Sequence, residues 1–105
     1  MKFVNLTPHT INIFNSDKQP VMTVLSSGHA RCSVNKTETG NIDGVQLFET
    51  TFGEVEGLPP AEDDTILIVS LLTRQALPER DDLYSPGELL RDENGQPVGC
   101  IGLSR

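Results

Sequence analysis

At 105 residues the chain is long enough for one hydrophobic core and too short for two. With 36% hydrophobic residues, no Trp, four Phe and one Tyr, that core must come mainly from Val, Ile and Leu. The formal net charge of −7 repels both a nucleic acid duplex and an anionic membrane, so neither is an expected partner.

The charge is unevenly placed. Residues 1–48 hold three acids against four bases, whereas residues 49–105 hold twelve acids against four arginines. Apolar, Gly and Pro positions interrupt these acids, which argues against imitation of a phosphate backbone. The opening MKFVNLTPHT has no sustained apolar stretch and no small-residue cleavage pattern, and no window reaches membrane-spanning length, so a cytoplasmic location is expected. Cys32 and Cys100 read as reduced thiols packed like small hydrophobes.

In chain order, Lys2–Leu6 is a short apolar segment stopped by Thr7-Pro8. Thr10–Phe14 alternates Ile11 and Ile13 with polar residues and predicts a half-buried strand. Asn15-Ser16-Asp17-Lys18 supplies a turn, and Pro20–Leu25 returns as the second strand of a hairpin. Ala30–Glu38 alternates again, with Ala30, Cys32 and Val34 on one face. Asp43-Gly44 breaks the chain before Val45–Phe52, a further β-rich run, so the first sixty residues read as an antiparallel meander.

Leu58-Pro59-Pro60 cannot continue a central strand and reads as a crossover loop. Thr65–Val69 is continuously apolar after Thr65, which suits a central strand covered on both faces. Ser70 can cap a two-turn helix over 71–77, because Pro78 disfavours helix at Leu77. Glu88–Arg91 and Pro97–Leu103 then form a closing hairpin around Asp92-Glu93-Asn94-Gly95. The expected fold is therefore a single mostly β domain spanning 1–105: an antiparallel meander or partly closed barrel of seven or eight strands with one short helix near 70–77. Asn15–Val21 and Asp92–Val98 echo one another in turn residues followed by Gln-Pro-Val, which two independent hairpins can reach by the same turn chemistry.

No catalytic signature is spelled out. Ser33-Val34-Asn35-Lys36 matches Ser-x-x-Lys only formally, since residues three apart on a strand point to opposite faces. His29 and Cys32 form a lone His-x-x-Cys pair without a second, and Cys32 falls on an apolar face, so no metal or other cofactor is expected. His9 and His29 are the only side chains whose ordinary pKa suits acid–base work near neutral pH. What remains is a set of arginines, most beside acids: Arg74 in the expected helix, Arg80-Asp81-Asp82, Arg91-Asp92, and Arg31 on a strand. The plain reading is surface ion pairs. The functional reading is that Arg80, with Arg74 or Arg91 and with Tyr84 as a flat surface, holds a small planar or phosphorylated ligand by bidentate hydrogen bonds and stacking.

Asn5-Leu6-Thr7-Pro8-His9, Ala76-Leu77-Pro78-Glu79-Arg80-Asp81-Asp82-Leu83, Pro86-Gly87 and Arg91-Asp92-Glu93-Asn94-Gly95-Gln96 together resemble a group of short uncharacterised proteins from bacteriophages and bacterial, often actinobacterial, genomes. The resemblance runs over nearly the whole chain. It implies a phage or prophage setting, with the host cytoplasm as the compartment, and draws attention to His9, Arg80, Asp81 and Asp82 without carrying over any role. The leading expectation is a non-enzymatic binder that sequesters a small phosphorylated host signalling nucleotide or blocks a host defence protein. A homo-oligomer is expected, because a small β domain has strand edges to pair. The alternatives are a small hydrolase using His9 with Asp81 or Asp82, and an accessory virion protein.

Overall fold

The computed structural model describes all 105 residues, Met1–Arg105. Eight strands and one helix follow in the order β1 (Lys2–Asn5), β2 (Ile11–Phe14), β3 (Pro20–Val24), β4 (Arg31–Ile42), β5 (Val45–Glu56), β6 (Thr65–Ile68), α1 (Leu71–Ala76), β7 (Leu83–Arg91) and β8 (Pro97–Ser104). The mostly β fold with one short helix agrees with the sequence reading. No helix is long and apolar enough to cross a membrane.

Six strands form one sheet in the order β1-β6-β7-β8-β2-β3. It curls into a nearly closed barrel, and an isolated parallel bridge between Asn5 and Ser26 joins its two outer strands at one end. The directions are mixed. β2–β3 and β7–β8 are antiparallel hairpins, whereas β1–β6, β6–β7 and β8–β2 pair in parallel. The first sixty residues therefore do not make a meander: β1 lies beside β6, and β2 lies beside β8. Parallel neighbours require long connections, and here the whole of residues 6–64 joins β1 to β6.

β6 shows why its sequence is continuously apolar. Leu67 joins Leu6, Ala30, Val69 and Leu83 in an outer cluster, with Leu58 and Leu77 packed against it. Its neighbour Ile68 points the other way and joins Ile11, Ile13 and Cys100 inside the barrel. Alternation sends successive residues to opposite faces, and both faces are covered. Cys100 thus packs as a small hydrophobe.

The local signals act as their chemistry dictates. Ser70 accepts a hydrogen bond from the Thr73 amide and caps α1. The two echoed turns have the same geometry: Asn15 Oδ1 accepts from the amides of Asp17 and Gln19, and Asp92 Oδ1 accepts from those of Asn94 and Gln96. The fourth residue of each turn is left-handed, with φ 63° at Lys18 and 78° at Gly95. β7 starts five residues earlier than Glu88 and runs through Pro86. Pro86 is tolerated because β7 pairs with β6 only at Leu83 and Tyr84, so no partner there needs the missing amide.

β4 and β5 stand apart as a two-stranded antiparallel sheet of 12 residues per strand. Asp43 and Gly44 both have positive φ, as a two-residue hairpin turn of the favoured hand requires. This arm gives the molecule extents of 49 × 39 × 19 Å and a radius of gyration of 16.4 Å. A rounded domain of this length would have a radius of about 13 Å.

Candidate functional site

The residues singled out from the sequence fall in four places. Arg80 and Asp82 sit between α1 and β7 as a closed pair: Arg80 Nε donates to Asp82 Oδ1 at 2.9 Å, and a terminal guanidinium nitrogen donates to Oδ2, also at 2.9 Å. The same nitrogen reaches the Pro59 carbonyl at 3.1 Å, so Arg80 staples the loop after α1 to the loop after β5. The hydrogen bonds with Asp82 raise the Arg80 pKa, and the same contacts with Arg80 hold the Asp82 carboxyl below its ordinary value against the opposing effect of burial. Asp81 between them is exposed.

Arg74 lies on α1 and donates through Nε to Ser85 Oγ at 3.3 Å. Arg91 lies at the far end of β7 and donates to the Gly95 carbonyl at 2.7 Å, bracing the β7–β8 turn. Tyr84 belongs to β7 rather than to the charged loop, and it points to the face opposite its neighbour Ser85. Arg74, which meets Ser85, is therefore separated from the Tyr84 ring by the sheet, and Arg91 stands at the other end of the strand. His9 lines an open groove of about 420 Å³ with Asn12, Leu89 and Val98, and neither Asp81 nor Asp82 lines it.

The N-L-T-P-H segment has a structural task. Asn5 is fully buried, and its side-chain amide donates to the carbonyls of His9 at 2.7 Å and Val24 at 3.0 Å. Asn5 Oδ1 accepts from the Thr7 amide at 2.9 Å and the Thr7 hydroxyl at 2.6 Å. All four hydrogen-bonding positions of the amide are used, and they clasp β1 to the end of β3.

Away from this clasp the seam between β1 and β3 lacks paired residues, and the barrel opens into a cavity of about 310 Å³. Every strand of the six-stranded sheet contributes to its wall: Phe3 from β1, Ile66 from β6, Tyr84 from β7, Leu103 from β8, Ile13 from β2 and Met22 from β3. The Arg105 guanidinium carbon lies 5.9 Å from the centre of the Tyr84 ring, a cation facing an aromatic surface. No family model, curated protein or solved structure matches this chain. What the site can hold follows from its own chemistry.

That chemistry is an apolar cup with an aromatic wall and one cation. It suits a flat ring carrying a negative group, the ring desolvated against Tyr84 and Phe3 and the anion met by Arg105. Of the residues expected from the sequence, only Tyr84 belongs to this cup. Alternation marked Ile13 as core-facing, and Phe3, Ile66 and Leu103 lay in segments read as strand or apolar run, but an inward residue in a filled barrel and one around an open mouth have the same pattern. Arg105, the last residue of the chain, carried no pattern signal at all.

Proposed function

We propose that the chain is a non-enzymatic binding protein of phage or prophage type that holds a small planar anionic ligand in the barrel mouth. A phosphorylated host signalling nucleotide has the required chemistry, a flat base joined to a phosphate. The observation that carries the reading is the apolar cavity walled by all six strands with the Arg105–Tyr84 pair beside it. Its volume lies at the lower end of the range of small-molecule sites. The phage setting rests on the resemblance of the N-L-T-P-H and A-x-P-x-R-D-D-L segments.

Sequestration requires release of the ligand unchanged. The test is native mass spectrometry of protein purified from phage-infected cells, followed by denaturation and analysis of the released small molecule. An intact anionic adduct supports the reading, and a chemically converted product refutes it in favour of the hydrolase. Tyr84→Ala and Arg105→Ala should each weaken binding of the recovered ligand by about tenfold or more, the loss expected for a stacking face or a charge-assisted contact. Unchanged affinity in both variants would place the ligand elsewhere.

A further inference from the structure

β5 is paired on one edge only. Its hydrogen-bonding partner is β4, and the arm these two strands form belongs to no larger sheet. An isolated hairpin is marginal in water, and a free strand edge is a template for further pairing. Each strand carries one irregularity, β4 between Glu38 and Gly40 and β5 between Phe52 and Val55. β5 pairs without a break from Val45 to Phe52, and this is the stretch that carries the exposed phenylalanines.

The exposed surface has a consistent size. The accessible area is 7140 Å². A rounded monomer of this mass exposes about 5800 Å². The surplus exceeds the ~800 Å² that each partner buries in a standard interface. Part of it is aromatic: Phe48 is 55% and Phe52 41% exposed. They share one face of the arm, since Phe48 lies opposite Glu38 and Phe52 opposite Val34, with Thr50 between them opposite Lys36.

The sequence Phe48-Glu49-Thr50-Thr51-Phe52 is nearly symmetric about Thr50. We propose that β5 pairs antiparallel with β5 of a second copy, with Thr50 opposite itself on the two-fold axis. In this register Phe48 of each copy faces Phe52 of the other, and Glu49 faces Thr51. No acid opposes an acid, which matters in a chain of net charge −7. A shift of two residues in one direction places Glu49 against Glu49, and a shift of two in the other places Phe52 against Thr50. A two-fold axis perpendicular to the sheet keeps the same face uppermost in both copies. The product is a four-stranded sheet, β4-β5-β5-β4, with four phenylalanines clustered on one face. The interface involves neither Tyr84 nor Arg105, so it stands or falls separately from the ligand at the barrel mouth.

Sedimentation equilibrium on the full chain over about 1–100 μM should give a dimer, and Phe48→Lys should raise the dimer dissociation constant by about 30-fold or more. Circular dichroism melting of the same variant checks that the barrel remains folded. Should it not, Thr50→Cys supplies the decision without removing a packed side chain: mild oxidation should give a disulfide-linked dimer that wild type, with Cys32 half-buried and Cys100 buried, does not form. In the proposed register Glu49→Cys should cross-link more slowly than Thr50→Cys, while a mixture of Glu49→Cys and Thr51→Cys should cross-link readily. A monomer throughout the concentration range overturns the proposal. So does a dimer in which Thr50→Cys fails to cross-link, or one in which Glu49→Cys cross-links faster.

Discussion

Asn5 Nδ2 donates to the Val24 carbonyl at 3.0 Å, and with this contact a fully buried amide ties the first strand of the barrel to the last in its sheet order. The same side chain serves His9 and Thr7, so its removal strands several buried groups at once. Asn5→Ala should cost about 2–4 kcal/mol, above the average point mutation, because unsatisfied polar groups are costly in the interior. Urea unfolding monitored by far-UV circular dichroism reads this directly. A loss below about 0.5 kcal/mol, the range of a surface substitution, would show that the clasp is not what holds the seam.

Arg80→Ala tests the staple between Asp82 and Pro59. A largely covered carboxylate loses its partner, and the expected destabilisation is about 2 kcal/mol, or a fall in melting temperature of about 10 °C. Ligand affinity, measured well below the melting temperature, should be unchanged. A variant of wild-type stability with lost binding would restore Arg80 as a ligand residue.

The pair also sets an acid dependence. The folded Asp82 carboxyl titrates below its unfolded value, chiefly through its hydrogen bonds to Arg80. In the window between the two values the unfolded state binds more protons, so stability declines as pH falls. The contribution is complete above about pH 4, the ordinary carboxylate value, and is lost as pH drops through the lowered folded value. The stability difference between wild type and Asp82→Asn should therefore shrink between about pH 5 and pH 2. A difference that stays constant over that interval contradicts the assignment.

The twin turns offer a matched pair of substitutions. Lys18 and Gly95 occupy the same left-handed position, but only Gly95 does so without a Cβ penalty. Gly95→Lys should lose about 1 kcal/mol, whereas Lys18→Gly should gain a few tenths of a kcal/mol after the added freedom of the unfolded chain is counted. Equal and same-signed shifts in melting temperature for the two would show that the turns are not equivalent.

Where a fold property depends on near neighbours in sequence, it was legible there. Alternation placed β2 and the start of β4. Ser70 and Pro78 bounded the helix, and the turn residues located both short hairpins. The arm was legible only in part: the reading of 30–38 stopped short of Ile42 because the outer end of the arm is largely exposed on both faces, which removes the alternating signal, and that of 45–52 stopped short of Glu56 because Gly53 reads as a breaker although β5 continues through it. The candidate site was legible least. Arg80, Asp82, Arg74 and Arg91 stood out because charge is conspicuous in a sequence, yet each is occupied by a local hydrogen bond.

The sequence by itself determined a mostly β fold, most of its strands, the helix cap, and an acidic second half, since each follows from residue type and short-range period. Only the tertiary structure decided that β1 lies beside β6 and β2 beside β8. It alone also showed that the seam between β1 and β3 is clasped at one end and open at the other, and that β5 keeps a free edge. Those facts depend on contacts between residues dozens of positions apart, where closure of the chain and the burial of two faces of β6 select among pairings that local propensity leaves equal.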